Sequence, residues 1–195
     1  MEHLEAIDAG LTANRPHNEI ARKVFLTYPT KAFVGNEEKQ FEILNEISEY
    51  CRVPITCIQV AGSAKLGRSI HKKTDFTYGE SDLDLAIIDA GLFAKFLEIG
   101  LKLSKGYSDG TVFPFRKGAS TQSDYITYLS RGIFRPDLMP RGSEKAGWEN
   151  FFGKLSSKHT ALFKSISGAI YLSQNCFESK QRSVIKARAA KEIIL

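Results

Sequence analysis

Two aspartates one residue apart, Asp82 and Asp84, stand in the run Ser-Asp-Leu-Asp-Leu-Ala-Ile-Ile at 81–88. On a β-strand alternate side chains point to opposite faces. The pair then shares one face, while Leu83, Leu85 and Ile87 take the other. Two strand rises put their Cα atoms about 6.6 Å apart. Carboxylates so placed reach toward a common point, and unpaired they repel, which raises the pKa of one. A divalent cation between them removes that cost. Mg²⁺ suits the task because it takes hard oxygen ligands, commonly one or two carboxylates plus substrate phosphates. Two such ions about 3.5–4 Å apart stabilise the attacking and leaving oxygens of a phosphoryl or nucleotidyl transfer. Alternation alone describes the polar face of a half-exposed strand equally well. The second signal is Gly62-Ser63, which closes the apolar run Ile55–Ala61. A glycine at a strand end lets backbone approach a ligand, and a helix starting near Ser63 would offer free N–H groups to a phosphate.

Helical periodicity over about 38–51 (Phe41, Leu44, Ile47, Tyr50) predicts an amphipathic helix stopped by Pro54. "ITCIQVAG" (55–62) and "SDLDLAIID" (81–89) read as strands on either side of a basic insert. A helix over 91–104 follows, with Leu92, Phe93, Phe96, Leu97 and Leu101 on its buried side. Residues 105–124 read as a long loop, an uncommon feature unless functional or mobile. "YITYLSRGIF" (125–134) reads as a strand, and Trp148, Phe151, Phe152 and Leu155 mark a helix face that serves the core better than base stacking. "SISGAIYLS" (165–173) reads as a third apolar strand. The expectation is one domain over 1–195, with an N-terminal arm over about 1–36 and a basic C-terminal helix over about 177–195.

The combination "AGSAKLG…SDLDLAII" resembles the active-site signature of the nucleotidyltransferase superfamily, the fold shared by DNA polymerase beta and minimal bacterial nucleotidyltransferases. The likeness covers about thirty residues, and the rest agrees only in the order of elements. It implies an α/β (α+β) fold, a mixed β-sheet flanked by helices. It also implies that Gly62 and Ser63 hold a triphosphate, that Asp82 and Asp84 hold Mg²⁺ (two ions in an active member), and that Ser81 fills the small polar position before them. The activity implied is transfer of an NMP group from an NTP to a hydroxyl acceptor: RNA, protein, nucleotide or small molecule. Small bacterial members serve in toxin–antitoxin and phage-defence systems, which sets that expectation by analogy alone.

Two departures stand out. Nineteen positions separate Ser63 from Asp82, longer than the family's short connection, and the insert carries Lys65, Arg68, His71, Lys72 and Lys73. Cations there would suit a triphosphate; Lys65 and Arg68, nearest Gly-Ser, are the expected phosphate ligands, with a solvated loop as the plain alternative. The family's third carboxylate has no counterpart in "SISGAIYLS". Asp124 is the nominee, with Asp109 and Asp137 as loop acids. A member lacking that acid would bind nucleotide or nucleic acid as a catalytically weak subunit of a larger complex. An interaction protein with solvent-facing aspartates is the third possibility.

Composition sets wider bounds. The chain has 195 residues, 43% hydrophobic and 25% charged, which excludes disordered and fibrous classes. No run has the length of a membrane span, and the N-terminus lacks the layout of a secretion signal. Net charge is +5, a mild preference for anionic partners that serves solubility equally well. Cys51, Cys57 and Cys176 are scattered and share no metal-ligand spacing with the four histidines, so the sequence shows no Cys/His zinc motif and suggests a reducing cytoplasmic setting. His159, without a Cys or Asp neighbour, reads as structural or surface. "RPDLMPRGSEKAG" (135–147) reads as a surface connection, and the overlapping "RGIFRPDLMP" (131–140), with two arginines and two prolines, is a stretch at which an acceptor could bind. At this length the acceptor site would call for a partner chain or a homo-oligomer.

Overall fold

The computed structural model describes residues 2–116 and 118–192. Its sheet runs in the order β1 (Ile58–Ala61), β2 (Leu83–Ile88), β6 (Ile166–Tyr171), β5 (Ile133–Phe134). β1 pairs antiparallel with β2, β2 parallel with β6, and β5 antiparallel with β6. This is a mixed sheet in an α+β fold. A two-stranded hairpin, β3 (Phe115–Arg116) with β4 (Ala119–Ser120), stands apart.

Both faces of the sheet are covered. Leu83, Leu85 and Ile87 of β2 join one apolar cluster with α3 (Glu37–Cys51), α5 (Ala90–Leu103) and α7 (Ser143–Lys158). Ala86 and Ile88 face the other way, into a second cluster with α1 (His3–Thr12), α2 (His17–Arg22) and α8 (Gln174–Glu192). The expected alternation of β2 therefore holds, but the aspartate face is not simply a solvent face. It is lined by helices along most of its length and opens only at the Asp84 end. At β6, Gly168 lets α7 close on the sheet: a Cβ there would lie 2.8 Å from Phe152 Cζ and 3.2 Å from Trp148 Cζ2.

The segment expected as an arm is built into the fold. Ile7, Val24 and Phe25 are fully buried, and the Arg22 guanidinium grips the buried Glu178 carboxylate of α8 with contacts of 2.7 and 2.9 Å. Residues 125–134 do not form one strand. Residues 122–129 are helix α6 (Gln122–Leu129), a turn follows, and only Ile133–Phe134 pair as β5. Tyr125 decides this: fully buried, it meets Phe113 and Phe134 with ring centroids 5.4 Å from each and fills the space left by Gly100. That packing outweighs the strand preference of Tyr, Ile and Thr. On α3 the buried positions are Ile43, Leu44, Ile47 and Cys51, while Phe41 is 59% exposed. The helix is where its spacing placed it, with its buried stripe rotated away from Phe41. On α5 Leu92, Phe93 and Phe96 are buried, and Leu101 is 37% exposed. Residues 105–124 are more ordered than a loop, with a 3₁₀ turn, the hairpin and the first turn of α6. α8 begins at Gln174; residues 193–195 of the expected C-terminal helix, and the Lys191 side chain, lie outside the described residues.

Candidate functional site

β1 ends at Ala61, and the chain turns at Gly62 with φ +66°, opening α4 (Gly62–Leu66). The turn presses the Gly62 backbone against β2. A Cβ on Gly62 would lie 2.7 Å from Asp84 Oδ2, closer than real Cβ contacts come. The left-handed φ favours glycine here, and a side chain would also push the Asp84 carboxylate aside. The same small backbone edge leaves the Asp84 carboxylate open to a ligand. The expected helix at Gly-Ser exists, but five residues is a single turn and its dipole is slight.

The strand register explains what stands where a third acid was sought. Asp84 pairs across the ladder with Ser167 and Leu83 with Ile166. Ser167 Oγ donates to Asp84 Oδ1 at 3.3 Å, and Ser165 Oγ donates to Asp82 Oδ1 at 2.7 Å. Two hydroxyls, Ser165 just before β6 and Ser167 within it, thus face two carboxylates, Asp82 just before β2 and Asp84 within it. Asp84 keeps an exposed edge, but the protein packed around its carboxyl and then the Asp82 charge push it above its usual range, while Ser167, Arg135 and Lys72 pull it back down. All four side chains present oxygen, the donor type Mg²⁺ prefers, and Gly62 keeps one flank of Asp84 clear. The residues present fit a hard divalent cation.

Asp84, Gly62, Ser165 and Ser167 line a cavity of about 600 Å³ that draws its walls from both sides of the sheet. Tyr128, Arg135 and Lys180 contribute a further wall. The Arg135 guanidinium lies 5.2 Å and the Lys180 ammonium 5.8 Å from the centre of the Tyr128 ring. Arg135 is held by a two-pronged pair with Asp137, both contacts at 2.8 Å, and Arg116 reaches the same carboxylate at 2.8 Å. Burial would raise the Asp137 carboxyl, but the Arg135 hydrogen bonds and the two guanidinium charges hold it below the usual range. Asp137 is therefore a fixed anion that orients Arg135.

Several expected residues do not meet here. Lys65 leaves Gly-Ser on the far side of α4 and is buried, its Nζ donating to the Tyr28 carbonyl at 2.6 Å. Burial lowers its pKa to about 8. Arg68 braces its own insert, donating to Asp75 Oδ1 at 2.9 Å and to the Lys73 carbonyl at 2.8 Å. Ser81 closes the turn into β2 by accepting from Thr77 N–H, and Ser63 caps no wall of the cavity. Of the insert's basic residues, His71 lines the cavity and Lys72 acts on Asp84. Asp124 is exposed in the first turn of α6 and does not line the cavity. Of the stretch 131–140 read as an acceptor-binding segment, Ile133, Arg135 and Asp137 line the cavity, whereas Tyr128, Lys180 and the two serines were not expected there. A usable signal for the serines was there: Ser-Ile-Ser at 165–167 repeats the polar–apolar–polar order of Asp-Leu-Asp at 82–84.

Compared with protein-family models, with curated proteins and with solved structures, the chain finds no match. Among the described residues no helix is long and apolar enough to cross a membrane.

Proposed function

We propose that this chain is a Mg²⁺-dependent nucleotidyltransferase-type protein that takes an NTP at the mouth of the Asp84 cavity and passes its NMP group to a hydroxyl acceptor, the α–β phosphoanhydride bond breaking to release pyrophosphate. The observation that carries the reading is the Asp82/Asp84 pair at the start of β2, of which Asp84 lines the cavity and Asp82 does not, with the Gly62 backbone close against the Asp84 carboxylate. When bound, Mg²⁺ would supply positive charge that offsets the charge of the phosphates. Asp82 and Asp84 would hold the cation, each already oriented by a serine hydroxyl. The Gly62 turn offers room for phosphate oxygens beside Asp84. Arg135, fixed by Asp137, sets a guanidinium on the cavity wall, and the Tyr128 face supports both it and Lys180. A planar base or an anionic acceptor suits such a wall.

A specific observation favours a second reading. Neutral Ser165, just before β6, and Ser167 within it stand opposite the aspartates, so no carboxylate of β6 can deprotonate an acceptor hydroxyl there. The chain would then bind Mg²⁺–NTP without transferring it, as a subunit beside a partner protein. Labelled NTPs separate the two: the protein is incubated with Mg²⁺ and each NTP, with and without total RNA or lysate, beside Asp82→Ala/Asp84→Ala. Transfer lost in the double variant supports the enzyme. Metal-dependent binding without transfer supports the subunit, and no metal-dependent binding overturns both.

A further inference from the structure

A second set of donors lies away from this cavity, where α3 meets the end of α7. Glu42 and Glu46 are one helical turn apart on α3, and His159 caps α7. One ligand atom from each lies within 4.8 Å of the other two. The His159 side chain is only 3% exposed, and its Nε2 is buried without a hydrogen-bond partner. That nitrogen faces Glu42 Oε1 at 3.9 Å, too far for a hydrogen bond. A buried nitrogen left unpaired is costly, and one aimed at two carboxylates asks for something between them.

We propose that Glu42, Glu46 and His159 form a binding site for a divalent transition metal, with Zn²⁺ the best match to one imidazole and two carboxylates. Tetrahedral zinc with bonds of about 2.0–2.2 Å needs its ligand atoms about 3.4 Å apart. The present spread closes to that by modest rotation of the two glutamates, whose side chains are 37% and 32% exposed. Lys39 pairs with Glu42 and Lys158 with Glu46, and both lysines are about half exposed. They neutralise the carboxylates until a metal arrives and leave at small cost, as exposed ion pairs do. Burial also keeps the imidazole neutral, the form that donates to a metal.

The site would act as a clip. His159 starts the connection into β6, and its carbonyl accepts from Leu162 and Phe163 N–H. Further along, Lys164 N–H donates to the Ser81 carbonyl and Leu83 N–H to the Ser165 carbonyl. A metal joining α3 to His159 would fix the segment that delivers Ser165 to Asp82. This site stands on its own residues and does not depend on how the Asp84 cavity is used.

The test is Zn²⁺ binding by the full chain carrying Asp82→Ala/Asp84→Ala, which removes the other carboxylate pair. The expected result is one Zn²⁺ per chain, by calorimetry and metal content. Adding Glu42→Gln and Glu46→Gln should weaken it well beyond a hundredfold, since losing even an outer-shell partner costs about 10–100-fold. These glutamates are partly exposed, so the variants should fold, as circular dichroism will check. His159→Gln provides a second arm. Co²⁺ substitution should give the visible spectrum of a low-coordinate N/O site in the parent and lose it with the glutamates. Absence of stoichiometric Zn²⁺, or unchanged affinity after the glutamate substitutions, overturns the proposal.

Discussion

Replacing Gly62 with alanine perturbs the candidate site at one backbone position, and a second glycine supplies the control. Gly62 has φ +66°, a conformation that costs an L-residue about 1–2 kcal/mol. Reduced freedom of the unfolded chain returns about 0.4–1 kcal/mol. Strain alone therefore leaves a net loss of about 1 kcal/mol. Gly35, at φ +80° with nothing within 4 Å of a built Cβ, carries the same strain and no contact. Gly62→Ala adds one: its Cβ lies 2.7 Å from Asp84 Oδ2 where ordinary contact begins at 3.4 Å, so that oxygen must retreat by about 0.7 Å, a third of a Mg–O bond of about 2.0–2.1 Å. Both variants should lose similar stability in urea denaturation. Only Gly62→Ala should weaken Mg²⁺-dependent NTP binding in calorimetry, by roughly 10–100-fold, the usual cost of disturbing a ligand's support. Equal NTP binding by parent, Gly35→Ala and Gly62→Ala would refute the claim that Asp84 is a ligand. Equal loss in both alanine variants would refute the claim that the contact matters.

Three further outcomes follow from named residues. Ser167→Asp sets a third carboxylate across the ladder from Asp84 and should raise Mg²⁺ affinity by roughly tenfold, about 1.4 kcal/mol; unchanged binding in calorimetry counts against a cation at Asp84. Lys65 holds its proton less tightly in the native state (about 8) than its ordinary 10.5, so this group makes the fold more stable as pH rises between those values, by about 3 kcal/mol in all. Lys65→Met should flatten that rise in denaturation midpoints taken from pH 7 to 10.5, and a parallel profile for parent and variant would contradict the buried ammonium. Arg22→Met leaves the Glu178 carboxylate, whose side chain is 1% exposed, with only the Gln174 Nε2 hydrogen bond at 2.7 Å, and should cost about 2 kcal/mol, less than a fully buried pair because Arg22 is half exposed. The Arg22 hydrogen bond holds Glu178 below its ordinary 4.5, so the stability it adds is present above that pH and fades as pH falls through the lower native value; the variant's acid limb should be correspondingly shallower.

The strand β2 was legible because Leu83, Leu85 and Ile87 alternate with the aspartates at its start. The helices α3 and α5 were legible from periodicity, with errors only in which edge of the stripe lies buried. Residues joined by register or by a turn were not. Lys65 is two residues from Ser63, yet the single turn of α4 sends it to the Tyr28 carbonyl. Ser165 and Ser167 are more than eighty residues from the aspartates and become their partners only through the parallel ladder. Arg135 acquires a role only once Asp137 and Tyr128 fix it at the cavity. The strand reading of 125–134 failed because β-propensity describes a surface to be covered, and Tyr125 finds that cover as part of a helix.

The most direct test of the central claim is calorimetric titration of an NTP into the protein with and without Mg²⁺, repeated with Asp82→Ala/Asp84→Ala. The account predicts binding that needs Mg²⁺ in the parent and disappears in the double variant, while the fold persists by circular dichroism. NTP binding that ignores Mg²⁺, or that survives loss of both aspartates, would contradict it.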